Sequence, residues 1–325
     1  MRKVVGVVLA LVLVALTILT AMRFLDTSLR WVILMTSFSS YAAVGFLLVL
    51  VGCLLAMRRP PRSRWLVVGA LVAGVGLAVQ SWVLVPLFVG GDEERASDLT
   101  VMTSNLQFGR GDATAVVRLV AAEDVDVLVL GEVTPKALVR LVDAGLTELL
   151  PSRRGEPVVT AAGTMVFSRY PLTRPRSFEL GKGGVDVRVA APDPFRLLAV
   201  HAAYPLEQPG PWLTDLETVR ARTAAAVDEG PTLVVGDFNA THDDAPLRAV
   251  LDVGVRDAAE QAGSGWQPTW PTTRYGQDWL TPLLTIDHVL TSPDFVAVRT
   301  ESHAIPRTDH LALIARLRVP AEATS

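Results

Sequence analysis

Three long uncharged apolar stretches, residues 4–22, 31–57 and 65–89, crowd the first ninety positions of this 325-residue chain. As helices rising 1.5 Å per residue, each is long enough to cross the roughly 30 Å hydrocarbon layer of a bilayer. Trp31, Trp65 and Trp82 lie near their ends, as interfacial aromatics do. A chain that is 50% hydrophobic and 19% charged is therefore expected to begin with three transmembrane helices. The competing reading of the first stretch is a cleaved signal peptide, which would leave the downstream residues on the same side of the membrane.

Charge divides the chain at the same place. Up to Gly91 there are eight Lys or Arg against one acid, Asp26, leaving 22 basic and 32 acidic residues for the rest. The connection between the second and third stretches, residues 58–64, holds four arginines, whereas Asp92-Glu93-Glu94 follows the third. By the positive-inside rule the N-terminus and the arginine loop are cytoplasmic, and an odd number of spans puts everything after about Gly90 outside. The organisation expected is a membrane region over 1–91, a short linker over 92–98 and a domain over 99–325, in a multi-pass protein of the cell membrane. Its single cysteine, Cys53, forbids an internal disulfide and a cysteine-based metal site. The acidic balance of the second region argues against nonspecific nucleic-acid binding, which needs Lys and Arg on phosphates.

After Leu99 short β-type runs alternate with helical ones. Strands are expected at 100–104, 126–130, 164–168, 185–190, 195–200, 232–235, 284–290, 295–302 and 312–317. Helices are expected at 113–122 behind an Asp112 cap, from Pro135 onward, and at 213–227. Such a pattern implies an α/β layered domain with two packed sheets. The longest unpatterned stretch, 263–282, contains Trp266, Trp270 and Trp279, read as packing or loop anchors whose rings also suit a bilayer interface.

Polar residues follow the apolar strands directly: Asn105, Glu132, His201, and Asp237 with Asn239. In Gly236-Asp237-Phe238-Asn239 the i and i+2 side chains point the same way, so a carboxylate and an amide are presented together. Asp287-His288 and Asp309-His310 interrupt later strands. Carboxylates and an amide oxygen are hard ligands suited to Mg²⁺ or Mn²⁺, and zinc is disfavoured without a close histidine pair. Phosphate chemistry is the expected task of such a set.

The ordered motifs Ser104-Asn105, Gly131-Glu132, Val200-His201, Gly236-Asp237-Phe238-Asn239, Ile286-Asp287-His288 and Thr308-Asp309-His310, with Ser168-Arg169-Tyr170-Pro171-Leu172, resemble the endonuclease/exonuclease/phosphatase, or DNase I-like, superfamily. The likeness spans about 99–317. It implies a four-layer α-β-β-α sandwich and divalent-metal-dependent hydrolysis. Residue by residue, it implies Glu132 as principal metal ligand, with Asn105 in the metal and phosphate shell and Asp309 assisting. Asp237 would orient or deprotonate the attacking water, Asn239 would hold a phosphate oxygen, and His201 would contact the scissile phosphate. His310 would be the catalytic imidazole with Asp287 as its partner, and Asp186 is the acid considered for orienting His201. His242 and His303 are assigned no role.

The three-span layout is similar to bacterial membrane proteins of this superfamily, including those associated with teicoplanin resistance, which implies a cell-envelope lipid phosphate or pyrophosphate as substrate. A tether of about ten residues reaches at most roughly 35 Å, which keeps the domain at the bilayer and also favours a lipid. No obligate protein partner is inferred. The alternatives are an anchored extracellular nuclease and a noncatalytic receptor for a phosphorylated ligand.

Overall fold

The computed structural model describes residues 2–58, 64–90, 98–206, 208–272 and 281–319. Within them the chain separates into two units, Met1–Pro86 with Asp243–Ala245, and Leu87–His242 with Pro246–Ser325. Arginine-loop residues 59–63, acidic residues 92–94 and Trp279 lie outside the described residues.

The first unit is helical. It contains α1 (Arg2–Met22), α2 (Arg30–Thr36), α3 (Ala42–Ala56) and α4 (Arg64–Leu84), with a 3₁₀ turn at Ser39–Tyr41, and the 3₁₀ turn Val85–Phe88 spans the boundary with the second unit. Two helical stretches, Ser39–Ala56 and Arg64–Phe88, are long and apolar enough to cross a membrane, and Gly6–Met22 is a shorter apolar helix. The expected single span over 31–57 is broken between Thr36 and Ser39. The Thr36 hydroxyl bonds back to the Val32 carbonyl at 2.8 Å, and such local bonding competes with the helical ladder. The interior is small: Leu13, Ala42, Phe46 and Ala73 form its core. Close approach rests on glycine, for a Cβ on Gly76 would meet the Phe46 ring at 2.5 Å. Buried Gln80 donates through its amide nitrogen to the Thr20 hydroxyl at 2.9 Å and the Ser39 carbonyl at 3.0 Å. Leu11, Leu48, Val75 and Trp82 face outward, an apolar exterior suited to lipid.

The second unit carries two six-stranded sheets. One runs β11 (Val296–Ala304), β12 (Leu311–Arg318), β1 (Leu99–Asn105), β2 (Val127–Gly131), β4 (Met165–Ser168), β3 (Ser152–Gly155). The other runs β5 (Leu172–Phe178), β6 (Gly184–Val189), β7 (Phe195–His201), β8 (Thr232–Asp237), β10 (Asp287–Thr291), β9 (Arg256–Asp257). Alternation sorts each strand between two faces. Val101, Val127 and Val129 meet Val187, Leu197, Leu233 and Val235 in the core between the sheets. Met102, Leu128 and Phe167 turn the other way, against Val116 and Val120 of α5 (Ala113–Ala122) and Leu141 of α6 (Pro135–Asp143). Asp112 and Thr134 cap these two helices by accepting from the Ala115 and Ala137 amides.

On the far side α8 (Pro209–Glu229) packs along β7 and β8, burying Trp212, Leu216 and Val219. The short helices α7 (Leu146–Leu149), α9 (Ala245–Leu251) and α10 (Ala258–Gln261) fill connections. The two-sheet α/β sandwich is thus the architecture expected for this domain. Sequence patterning passes over β3, β5, β9, α9 and α10. β5 is an edge strand whose middle, from Thr173 to Ser177, is exposed and contains Pro175, so it lacks the apolar alternation that marks a strand.

Register places the polar strand ends together. β1 and β2 are parallel with Asn105 opposite Gly131, and β7 and β8 are parallel with His201 opposite Asp237. β10 runs antiparallel to β8, setting Asp287 opposite Asp237.

Candidate active site

Where strand ends of the two packed sheets come together, Asn105 forms the bridge between them. Its carboxamide nitrogen donates to Asp237 Oδ2 at 3.0 Å and to Glu132 Oε1 at 3.3 Å, while its oxygen accepts from the Gln107 amide at 2.9 Å. Glu132 Oε2 accepts from the Phe108 amide at 2.6 Å. To do this the chain takes the left-handed region at Gln107, Phe108, Gly109 and Glu132, a cost of order 1–3 kcal/mol at each non-glycine that surrounding structure must offset.

Asp237 stands at the centre. Its Oδ1 accepts from the Asn239 amide at 2.9 Å. Its Oδ2 lies 3.5 Å from His201 Nε2 and 3.9 Å from His310 Nε2. Asn239, at φ 49°, anchors its amide on the Ala202 carbonyl at 3.0 Å. Gly236, at φ 141°, makes the turn possible, because a Cβ there would sit 2.0 Å from the Val200 carbonyl oxygen. His310 Nδ1 pairs with Asp287 Oδ2 at 2.8 Å, and the Asp309 carboxylate reaches to 4.0 Å from His310 Nε2. All eight residues singled out from sequence therefore meet at one strand-end cluster: Asn105, Glu132, His201, Asp237, Asn239, Asp287, Asp309 and His310.

Burial sets the charges. It raises the Asp237 carboxyl to about 7, helped by the Asp287 charge and opposed by His310. Burial disfavours the His310 imidazolium, but the charge and hydrogen bond of Asp287 outweigh it and push that imidazole up to about 10. His201 goes the other way, down to about 3, through burial and the neighbouring charges of His310 and Lys182. One histidine is thus neutral and the other cationic within a few ångströms of one carboxylate. Burial likewise raises Glu132.

Asp186 does not orient His201. It accepts a two-pronged bond from Arg196, at 3.0 and 2.7 Å, and buried His201 Nδ1 has no hydrogen-bond partner among the described residues. Several contributors escaped the sequence reading. The Trp270 indole donates to Asp309 Oδ2 at 3.3 Å, so this ring, expected as a packing or loop anchor or an interfacial aromatic, holds a site residue. The Thr269 hydroxyl accepts from the Ile286 and Asp287 amides at 3.3 Å, and Thr308 donates to the Asn105 carbonyl at 2.6 Å. Lys182, 4.8 Å over the Tyr204 ring, brings a cation toward His201; a lone lysine among Gly181, Gly183 and Gly184 was its only sequence signal.

The donors fit a hard dication. Burial and the nearby Asp309 charge both disfavour the Glu132 carboxylate, Asp237 and Asp287 repel each other, and Asp287 Oδ1 is buried with no hydrogen-bond partner among the described residues. Packed carboxylates of this kind are stabilised by a cation with a preference for oxygen.

Residues 102–310 match the sequence profile of the endonuclease/exonuclease/phosphatase family. No curated protein matches the sequence. Among solved structures, truncated TDP2 of Caenorhabditis elegans superimposes with a TM-score of 0.56 at 17% identity, covering 68% of this chain and 98% of that one. A mannosyl-6-phosphatase of Bacteroides thetaiotaomicron gives 0.53 at 16% identity over 68% and 99%. An endonuclease/exonuclease/phosphatase of Beutenbergia cavernae gives 0.53 at 19% over 69% and 72%. At these identities the likeness is one of fold.

Proposed function

This chain belongs to the endonuclease/exonuclease/phosphatase family, and from that premise we propose that it is a membrane-anchored, Mg²⁺-dependent hydrolase of phosphoric ester or anhydride bonds in a cell-envelope lipid, working on the outer face. Glu132, Asn105 and Asp309 would hold the ion. When bound, Mg²⁺ supplies neutralisation of the phosphoryl oxygens. Asp237, with its carboxyl raised toward neutrality, takes the proton of the attacking water as that oxygen bonds to phosphorus. His310, kept cationic by Asp287, faces the charge that grows on the phosphoryl group as the leaving oxygen departs. Asn239 holds a phosphoryl oxygen, and neutral His201 contacts the phosphate without adding charge.

The observation that carries the reading is the hydrogen-bonded chain from Glu132 through Asn105 to Asp237, which joins ends of two sheets around one carboxylate cluster. Anchoring is supported by the apolar helices, with three spans and a cytoplasmic N-terminus as the arrangement proposed. The test incubates the full chain in detergent with Mg²⁺ and a panel of phospholipids, isoprenyl pyrophosphates, sphingomyelin and DNA, with His310→Ala as control. Release of phosphate or headgroup from a lipid is expected. Cutting of DNA alone would overturn the substrate, and binding without turnover would favour the receptor.

A further inference from the structure

A second cluster lies behind the first. Asp287 faces the catalytic centre, but His288, the next residue on β10, turns to the opposite face of the sheet, where its ring meets Phe238 edge-on with centroids 5.5 Å apart. There His288 Nδ1 lies 2.6 Å from Asp257 Oδ2. His242 Nε2 approaches the same oxygen at 3.1 Å. Three ligand atoms, two imidazole nitrogens and one carboxylate oxygen, thus lie within 4.8 Å of one another.

Each ligand is held in the form that a metal requires. His288 Nε2 is 2.9 Å from the Ala240 carbonyl, which can only accept, so a proton sits there and Nδ1 is the nitrogen turned into the cluster. A metal-binding histidine is oriented by this kind of outer bond. Asp257 Oδ1 is occupied by the Ala259 amide at 2.8 Å, which leaves Oδ2 for the cluster. His242 is fixed through its own carbonyl by Arg248 at 3.1 Å, and its outer nitrogen lies 3.9 Å from Glu260. Without a metal, two imidazoles must both direct protons at one oxygen, in a cluster where His288 has no exposure to solvent. A dication replaces both protons. His288 is fully buried and Asp257 nearly so, whereas His242 retains 23% exposure and opens a path for entry.

From this geometry we infer that His242, Asp257 and His288 form a binding site for a zinc-class transition metal, separate from the oxygen-rich catalytic centre. Imidazole nitrogens select Zn²⁺, Co²⁺ or Ni²⁺ over Mg²⁺, so the two clusters sort their cations by ligand type. Three protein ligands with water as the fourth complete a tetrahedron. The site ties the turn after β8, the start of α10 and strand β10 together, directly behind Asp237 and Asp287.

The test uses the full chain in detergent, stripped with a chelator and titrated with Co²⁺ alone, then with Zn²⁺ in competition. One equivalent with the intense visible absorption of tetrahedral Co²⁺ is expected, displaced by Zn²⁺ and unaltered by excess Mg²⁺. In His242→Ala, folded by circular dichroism, retention falls at least about tenfold, and Asp257→Asn does the same. The band persists in Glu132→Gln, whose change lies in the catalytic cluster. Absence of the band from the unaltered chain would overturn the site, as would its survival in both His242→Ala and Asp257→Asn or its loss in Glu132→Gln.

Discussion

His310 and His201 illustrate how one cluster sets two identical side chains to different tasks. Both are buried, but His310 has a carboxylate hydrogen-bonded to its ring, Asp287 at 2.8 Å, whereas Asp237 stays 3.5 Å from His201, and of the two only His310 is raised, to about 10. A raised base keeps its proton until pH climbs through the shifted value, so the cationic form persists across neutral pH. Replacing the carboxylate by Asp287→Asn removes the cause, and His310 then loses its proton at lower pH. The basic limb of the pH–rate profile is expected to move down by about 1–3 units, read from kcat/KM between pH 6 and 10. An unmoved limb would mean that another group titrates there. Asp237→Asn keeps the shape of the side chain but not its ability to take a proton, and kcat is expected to fall by about 10²–10⁴ with KM nearly constant, measured on a phosphodiester of high reactivity. The sequence displayed these residues because each lies at or beside one end of an apolar strand. Asp186 misled because nothing in its spacing reveals Arg196, ten residues away on the neighbouring strand. The histidine pair of the second cluster was hidden for the same reason: His242 and His288 are brought to ring centroids 5.4 Å apart only by the tertiary fold.

Strands and helices were legible to the degree that burial is periodic. The Asp112-capped helix over 113–122 forms as read, and β1, buried along its whole length, declares itself as a central strand. β9 has only two residues and is defined by its pairing with β10, which no local pattern encodes. The turn at the end of β8 is where element geometry and chemistry meet. Gly236 takes φ 141° against the Val200 carbonyl oxygen, and that turn aims Asp237 and Asn239. Gly236→Ala is expected to cost at least about 2 kcal/mol, which for a domain of this size lowers the thermal midpoint by about 4–8 °C. Thr134→Ala removes only the cap of α6 and should cost about 1 kcal/mol. Ranking the two variants by melting in detergent checks the assignment, and a milder effect of Gly236→Ala than of Thr134→Ala would contradict it.

At the scale of the whole molecule the functional proposal depends on which side of the membrane the catalytic residues occupy. Cys53 is buried, so single cysteines placed elsewhere report topology over a low background. Asp193→Cys, on an exposed turn of the second unit, is expected to react with a membrane-impermeant maleimide in intact cells, and Arg58→Cys only after permeabilisation; the reverse would place the hydrolase inside. Anchoring also makes a kinetic prediction. On the proposed anchoring, a tether of about ten residues would keep the domain within roughly 35 Å of its bilayer, where a lipid substrate is confined with it. Hydrolysis then behaves as an intramolecular event at high effective concentration. With the full chain reconstituted into vesicles, lipid substrate in the same bilayer is expected to turn over at least about a hundredfold faster than the same lipid in separate vesicles, whereas a small soluble phosphodiester shows no such difference. Equal rates on lipid in both arrangements would mean that the substrate reaches the site from solution, and the helices would then serve only to retain the enzyme at the cell surface.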